Sequence, residues 1–336
     1  MNDDYLWDGS GAPDAEVAKL EKLLARFQGA RRPLELPEIP NRRPVRTQLL
    51  AWILAAAATV LAILALRYQR IPARDDAWTV SEVVGSPVVN GSPLRQNTAW
   101  KPGAVLETDS TSRAELQLTG MGQLEIEPNS QVTLQKASAD QQQFQLTRGE
   151  IRAVVIAPPY VFLVHTPSAY AMDMGCAYTL HVDDDGNSLL RVTVGWVDLQ
   201  HEWRQALVPE GAAAESRPGI GPGAPYYEDA SERFRQALEI VNFDESDPKI
   251  RSAALTTVLE ESRKRDALTL LNLFSRVDAE GRGRVYDRLA SLVPPPPGLT
   301  RDDAVNYDMK KIGPWWDLLG IGHAKKGLKM PPIVHE

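Results

Sequence analysis

One long stretch of the chain, from Leu49 to Leu66, lacks charged residues, and almost every side chain in it is apolar. About 18 such residues are enough for one helix to cross the hydrocarbon core of a bilayer. A helix buried in a soluble protein would rarely be apolar on every face. We therefore predict a single transmembrane helix over residues 49–66, with Trp52 as an interfacial anchor near one end.

Basic residues lie mainly on the N-terminal side of this run. Arg42, Arg43 and Arg46 precede it, whereas Arg67 and Arg70 follow it. Segments rich in Lys and Arg stay in the cytoplasm, so the asymmetry predicts a single-pass inner-membrane protein with a cytoplasmic N-terminus and extracytoplasmic C-terminal domains. A secretory signal peptide is the alternative, but its short leader and small-residue cleavage site are not seen around the run.

A helical period of apolar residues precedes the membrane run, within residues 1–48. It places Val17, Leu20, Leu24 and Phe27 on one face, and a Pro/Arg-rich linker follows. A lone amphipathic helix cannot build its own core, so this stripe predicts binding to a partner protein or to the membrane surface. A juxtamembrane helix without a specific partner is the plainer alternative.

Between residues 75 and 210 the apolar period shortens to two. Short alternating segments separated by turn residues are typical of an all-β sandwich or barrel-like domain. The predicted strands are RAELQL, QLEIE, QVTLQ, FQLT, IRAVVI, VFLVHT, YTLHV, LLRVTV and WVDLQ.

Glycine and proline interrupt the pattern in residues 211–225, which we predict to be a linker or a wrapping loop. Over residues 226–336 the period becomes helical, with four periodic segments and Asp247-Pro248 as an N-cap and first turn. Short connections favour a small α-helical bundle or a pair of helical hairpins. We expect the tail around Trp315 to pack back on it.

Composition narrows the function classes. A chain of 336 residues with 24% charged residues has room for two or three folded domains. Its formal net charge is -7 and its arginines are scattered, whereas phosphate binding needs a clustered basic surface. We therefore expect no nucleic-acid partner.

Cys176, the single cysteine, is a candidate nucleophile. His181 lies an odd number of residues away and would point to the opposite face of a regular strand, although His165 could approach from a neighbouring strand. A small cysteine in a strand-rich core is far more often a packing residue than a nucleophile. We interpret Cys176 as a strand residue, with a nucleophile as the alternative.

Two further motifs resemble ligand sites only superficially. The acidic run from Asp183 to Gly186 lacks the spacing of a calcium loop and sits between two alternating segments, which favours a hairpin. GIGPG, residues 219–223, contains Pro222 and lacks a strand-loop-helix context for phosphate. No set of nucleophile, base and oxyanion donors can be named, so we predict no enzyme, cofactor, metal or small-molecule substrate.

Several pieces between Trp78 and Gly211 occur in an ordered series: WKPGAVLETDSTSRAELQL, QLEIEPNSQVTL, LTRGEIRA, VHTPSAYAMDMGCAYTLHV and LLRVTVGWVDL. Together they resemble the FecR domain of bacterial membrane-anchored sigma regulators. In that family a small hydroxyl residue commonly follows the glycine that stands here as Gly175, and an aromatic residue comes two positions later. Cys176 and Tyr178 occupy those positions.

The resemblance implies an all-β extracytoplasmic domain, one membrane helix and a cytoplasmic N-terminus that binds an extracytoplasmic-function sigma factor. The chain departs from the family pattern at both ends, with a short cytoplasmic part and helices in place of the C-terminal signalling domain. We expect a membrane-anchored regulator that relays an extracytoplasmic signal to a sigma factor. The alternative is a cell-envelope module that binds an extracytoplasmic protein or polymer without a sigma factor.

Overall fold

The computed structural model describes residues 15–25, 78–244 and 247–319. The chain divides into two compact units, Met1–Ile71 and Pro72–Glu336. In the first unit, Ala15–Leu24 forms helix α1, inside the segment predicted to be an amphipathic helix. Within the described ranges no helix is long and apolar enough to cross a membrane. The predicted transmembrane helix, with Leu49, Trp52 and Leu66, lies outside the described residues.

In the second unit, residues 78–227 form an all-β part, in agreement with the alternating pattern. The strands are β1 Trp78–Val84, β2 Val88–Val89, β3 Ser92–Pro93, β4 Ala99–Trp100, β5 Val105–Glu107, β6 Arg113–Leu118, β7 Gly122–Ile126, β8 Gln131–Ser138, β9 Gln141–Val155, β10 Phe162–His165, β11 Tyr170–Asp173, β12 Ala177–Val182, β13 Ser188–Val194, β14 Trp196–His201, β15 Arg204–Pro209, β16 Ala212–Arg217, β17 Gly221–Pro222 and β18 Tyr226–Tyr227.

The strands form two sheets that share β9. The first sheet runs β4-β1-β6-β7-β9-β12-β13-β16, with β17 and β18 beside β16. The second runs β3-β2-β5-β8-β9-β10-β11-β14-β15. Among the described strands the pair β9 and β10 is parallel and the other pairs are antiparallel.

β9 passes from one sheet to the other at Gly149. Up to Arg148 it pairs with β8, and from Gly149 onward it pairs with β12. Gly149 has φ +87, and a Cβ there would lie 2.4 Å from the Cα of Ser130. Only glycine meets both conditions without strain, so this residue allows one strand to serve both sheets.

The interior between the sheets is aromatic at its centre. Trp78 packs edge-on against Phe144 with ring centroids 5.3 Å apart, and Phe144 lies 4.9 Å from Phe162. The indole Nε1 of Trp78 donates to Oε1 of the buried Gln142 at 3.0 Å. The polar atom of this large side chain is therefore satisfied where β1 begins.

The structure corrects the prediction that residues 211–225 form a linker. Residues 212–217 form β16, which pairs with β13, and Gly221 to Pro222 pair with β16 in turn. Three successive alanines of β16 are buried, so its sequence shows no alternation. A strand covered on both faces gives no period-two signal, which is why the pattern failed there.

Helices follow the sheets. Four of them lie where the helical period predicted helices, whereas those at residues 301–305 and 309–318 were not predicted. The helices are α2 Glu232–Phe243, α3 Pro248–Glu261, a 3₁₀ turn Lys264–Asp266, α4 Ala267–Leu273, α5 Ala279–Leu292, α6 Arg301–Val305 and α7 Met309–Leu318. Asp247 is the N-cap of α3, and its carboxylate accepts from the amide of Lys249. Trp315 is fully buried in the helical core, which confirms that the tail packs back.

The helical core continues into the β part, because Leu207 of β15 and Ala224 belong to it. Arg276, buried just after α4, joins the two. Its guanidinium donates to the carbonyl oxygens of Gln205 and Pro222 at 3.1 and 3.2 Å. It also donates to the carbonyl oxygen of Asn272 at 2.6 Å. We call this arrangement the joint.

Burial, and then the positive charge of Arg204, lowers the pKa of Arg276 to about 9. Arg276 is therefore still a cation at neutral pH. A buried cation is costly unless its donors are met, so the carbonyl oxygens of the sheet stabilise the docked position of the helices.

Replacing Arg276 by alanine should lower the free energy of unfolding by roughly 3 kcal/mol, because it leaves a cavity and removes a donor from buried carbonyl oxygens. Urea unfolding of the full chain in detergent measures this change. Arg233→Ala is the control, since that side chain is largely exposed beside Glu261, and it should cost less than about 0.5 kcal/mol. Equal effects of the two substitutions would contradict the joint.

Candidate interaction surfaces and the cysteine cluster

The stripe predicted to bind a partner lies partly on α1. Leu20 and Leu24 are 58% and 60% exposed, and Leu23, which the sequence reasoning omitted, is 57% exposed. Leu23 lies three residues after Leu20, at a spacing that places neighbours on one side of a helix. The Val17 side chain and Phe27 are outside the described part of the chain.

The charges of α1 complement its helix dipole. Glu16 lies in its first turn and Lys22 in its last turn. Each charge opposes the partial charge of the helix end that it occupies, which contributes a few tenths of a kcal/mol. With three leucines largely open to solvent, α1 presents an apolar surface that a groove in another protein could cover.

Cys176 lies in the turn between β11 and β12 and is 4% exposed. Its Sγ–H donates to Oδ2 of Asp173, the last residue of β11. The other carboxylate oxygen of Asp173 accepts from the amide of Gly175 at 2.6 Å. Asp173 thus closes the turn that leads into β12, and the cysteine is part of that turn.

Neither histidine of the nucleophile hypothesis is a hydrogen-bond partner of Cys176 in the described structure. His181 Nδ1 lies 3.8 Å from a carboxylate oxygen of Glu150. His165 packs edge-on against Tyr170 with ring centroids 4.6 Å apart. Burial, and then the negative charge of Asp173, raises the pKa of the Cys176 thiol above its ordinary range. A reactive cysteine needs the opposite shift, so this geometry fits a packing residue.

Asp173 is the residue of this cluster that sequence reasoning missed. It is 1% exposed, and burial raises the pKa of its carboxyl to about 6, although the hydrogen bonds from Cys176 and Gly175 offset part of that rise. The hydroxyl of Tyr178, also buried, has no hydrogen-bond partner among the described residues. The one sequence signal was an aspartate three residues before the cysteine.

The acidic run forms the predicted hairpin, between β12 and β13. Asp183 accepts from the amide of Asn187 at 2.8 Å and from its side-chain Nδ2 at 2.9 Å. Gly186 closes the turn with φ +81. Across residues 15–25, 78–244 and 247–319, no group of three or more His, Cys, Asp or Glu side chains is placed to hold a metal ion.

The amides of GIGPG serve the sheet. Gly221 pairs with Arg217, and Gly223 donates its N–H to the carbonyl oxygen of Glu215 at 2.8 Å. Pro222 has no N–H to donate. These contacts leave little of the segment to cradle a phosphate.

The part of the chain that the structure describes contains cavities of a size that suits a small ligand. One, of about 530 Å³, is lined by residues of the β2–β5 region, with Trp100, Lys101 and Arg95 among them. Another, of about 430 Å³, lies among α2, α3 and α5. Arg251 in its wall already donates to the carbonyl oxygens of Val241 and Arg276.

Comparison with known proteins gives one family match, which lies within the β part. Residues 104–198 match the family model described as FecR protein. Two crystal structures of a "putative anti-sigma factor" from Parabacteroides distasonis are similar over 40% of this chain, at 14% identity and a TM-score of 0.33. The chain covers 63% and 62% of those two structures. A search of curated proteins found no match.

The wild-type chain should become less stable to unfolding as the pH rises through about 6, because Asp173 then loses its proton. The Asp173→Asn variant should not show this decrease. The folded-state pKa of about 6 exceeds the reference value of 3.8, so the folded protein holds this proton more tightly. The contribution of Asp173 is therefore complete below about pH 4 and is lost as the pH rises through about 6. Relative to the variant, the wild-type chain should lose about 2–3 kcal/mol of unfolding free energy across that window.

Urea unfolding of both chains in detergent, at pH values from about 4 to 8, measures the difference. Comparing the two curves cancels the carboxylates that both chains share. Asp184→Asn, in the exposed part of the β12–β13 turn, is the control and should follow the wild-type curve. A difference between wild type and Asp173→Asn that does not change with pH would contradict the assigned pKa.

Proposed function

The chain carries a FecR domain, and we propose that it is a membrane-anchored regulator that relays an extracytoplasmic signal to a cytoplasmic sigma factor. The observation that carries this proposal is the family match over residues 104–198, on a part that folds as two sheets sharing β9. The uncharged run of residues 49–66 and the arginines before it support the anchor and its orientation.

On the cytoplasmic side the proposed contact is α1. Leu20, Leu23 and Leu24 present apolar surface that no partner in the described structure covers. A helix of this kind docks into a groove of another protein through a few anchor side chains, each worth on the order of 1–3 kcal/mol. A sigma factor is the partner that the family match supports.

On the extracytoplasmic side the proposed receiver is the β part together with its docked helices. Arg276 and the shared core join them, so a ligand bound to either would act on both. Transmission would pass through β1, which follows the predicted membrane helix in the chain. Asp173 lies in the same part, and its pKa near 6 makes this part sensitive to mildly acidic pH.

A second candidate function is that of an envelope module that binds an extracytoplasmic protein or polymer without a sigma factor. It is favoured by Trp203, which is 72% exposed at the β14–β15 turn. This indole borders a cleft of about 160 Å³ that Tyr307 and Trp316 also line. Aromatic side chains in such a cleft are common anchors for bound chains.

The double substitution Leu20→Asp and Leu24→Asp tests the sigma-factor proposal, because it places charges on the apolar face of α1. The full chain, purified in detergent, should recover a sigma factor from extract of its own cells, identified by mass spectrometry. Loss of two anchors should weaken that binding at least tenfold.

Ala18→Asp with Lys22→Ala is the matched control. It changes the net charge by the same amount on the opposite face of α1 and should recover the sigma factor as the wild type does. Equal recovery by both double variants would mean that the leucines are not the contact. If the wild-type chain recovers no sigma factor, the envelope-module function takes the place of the proposal.

A further inference from the structure

One end of the first sheet is built from chain segments without a charged side chain. Although 24% of the residues of the chain are charged, none occurs in QLTGMGQ, AVVIAPPYVFLV, MGCAYTL or VTVGWV, residues 117–123, 153–164, 174–180 and 192–197. The strand register brings these segments side by side. Gln123 pairs with Val154, Val154 with Ala177, and Ala177 with Val194.

The outward face at this end is apolar where a sheet exposed to water is normally polar. Val154, Ile156 and Val194 are 51%, 70% and 54% exposed. We call these three side chains, with the half-buried Met121 and Ala177, the apolar end. Exposed aliphatic side chains scattered singly need no explanation, but a group on one face indicates a contact surface.

On the same face, the next outward-facing row of residues along these strands is polar or charged. Arg152 pairs with Glu125 and Thr179, and Thr179 pairs with Arg191. The boundary between apolar and charged surface therefore crosses three strands at a single level of the sheet. Such a boundary fits an object that meets the domain end-on.

The first residues of β1 lie in the same row of the first sheet as the apolar end. Thr79, at the start of β1, pairs with Gln117, and Gln117 pairs with Gln123 in the row that continues to Val154. The predicted membrane helix ends at Leu66, and only residues 67–77 separate it from β1. A fully extended segment of that length spans at most about 40 Å.

We propose that the apolar end rests on the extracytoplasmic surface of the lipid bilayer, with Ile156, Val154 and Val194 reaching into the interface. This inference rests on the proposed function, because it needs the membrane anchor. The number of residues between Leu66 and β1 sets an upper limit of about 40 Å on the distance between the end of the predicted anchor and the start of β1. Apolar side chains on a surface that meets a bilayer gain free energy by entering the boundary between headgroups and acyl chains.

The chemistry of the apolar end suits lipid better than protein. Protein interfaces concentrate their binding energy in Trp, Tyr and Arg side chains. The exposed side chains here are aliphatic, and the neighbouring turns add Gly120, Pro158 and Pro159. Lys101 is exposed at the edge of the first sheet and directly follows Trp100, which pairs with Trp78. Its ammonium group can there meet anionic headgroups.

Spin labels on the full chain in liposomes of phosphatidylethanolamine and phosphatidylglycerol test this contact. The variants are Ile156→Cys and Val194→Cys, with Asp184→Cys in the β12–β13 turn as the control. The wild-type chain, treated with the same spin label, measures any signal from the buried Cys176 that all variants share. Collision rates with oxygen, which concentrates in lipid, and with a water-soluble nickel complex are measured by electron paramagnetic resonance.

The ratio of oxygen to nickel collisions should be several-fold higher at positions 156 and 194 than at 184. Equal ratios at all three positions, in a chain that resists carbonate extraction, would overturn the lipid contact and leave the anchor standing. Shielding of positions 156 and 194 from both reagents would show that protein, such as a second copy, covers them instead. A chain that carbonate extracts would overturn both this inference and the proposed anchor.

Discussion

A buried guanidinium determines how much of this protein acts as one body. Arg276 remains charged at neutral pH, and its two terminal nitrogens donate to carbonyl oxygens of both the helices and the β part. Moving the helices away from β15 would break the hydrogen bonds to Gln205 and Pro222 and expose the shared apolar core to water. The helices are therefore a fixed extension of the β part, through the core that Leu207 and Ala224 share with them.

Because the β part and the helices move as one body, the proposed signal could be a rigid-body movement. A body whose parts cannot slide past each other passes a force or rotation to its point of attachment, which is β1. Trp78, at the start of β1, packs on Phe144 of β9, the strand that both sheets share. The start of β1 is thus packed into the centre of the fold, beside the apolar end that we propose to rest on the bilayer.

The sequence predicted the parts of this account that depend on local pattern. The strand at LLRVTV and the N-cap at Asp247 are determined by residues close to them in sequence, and both predictions were confirmed. β16 was missed because both of its faces are covered, and β9 was divided in two because Gly149 looks like a turn. The partners of Asp173 and Arg276 come from the tertiary fold, so no local pattern could show what these side chains do.

The orientation across the membrane is the claim on which the rest of the proposed function depends. It is tested by a thiol reagent that cannot cross membranes, applied to spheroplasts that express the full chain with a cysteine at one of two positions. We expect labelling of Asp184→Cys, which is exposed in the β12–β13 turn, and no labelling of Ser10→Cys until the cells are lysed. Labelling of Ser10→Cys alone in intact spheroplasts would contradict this orientation.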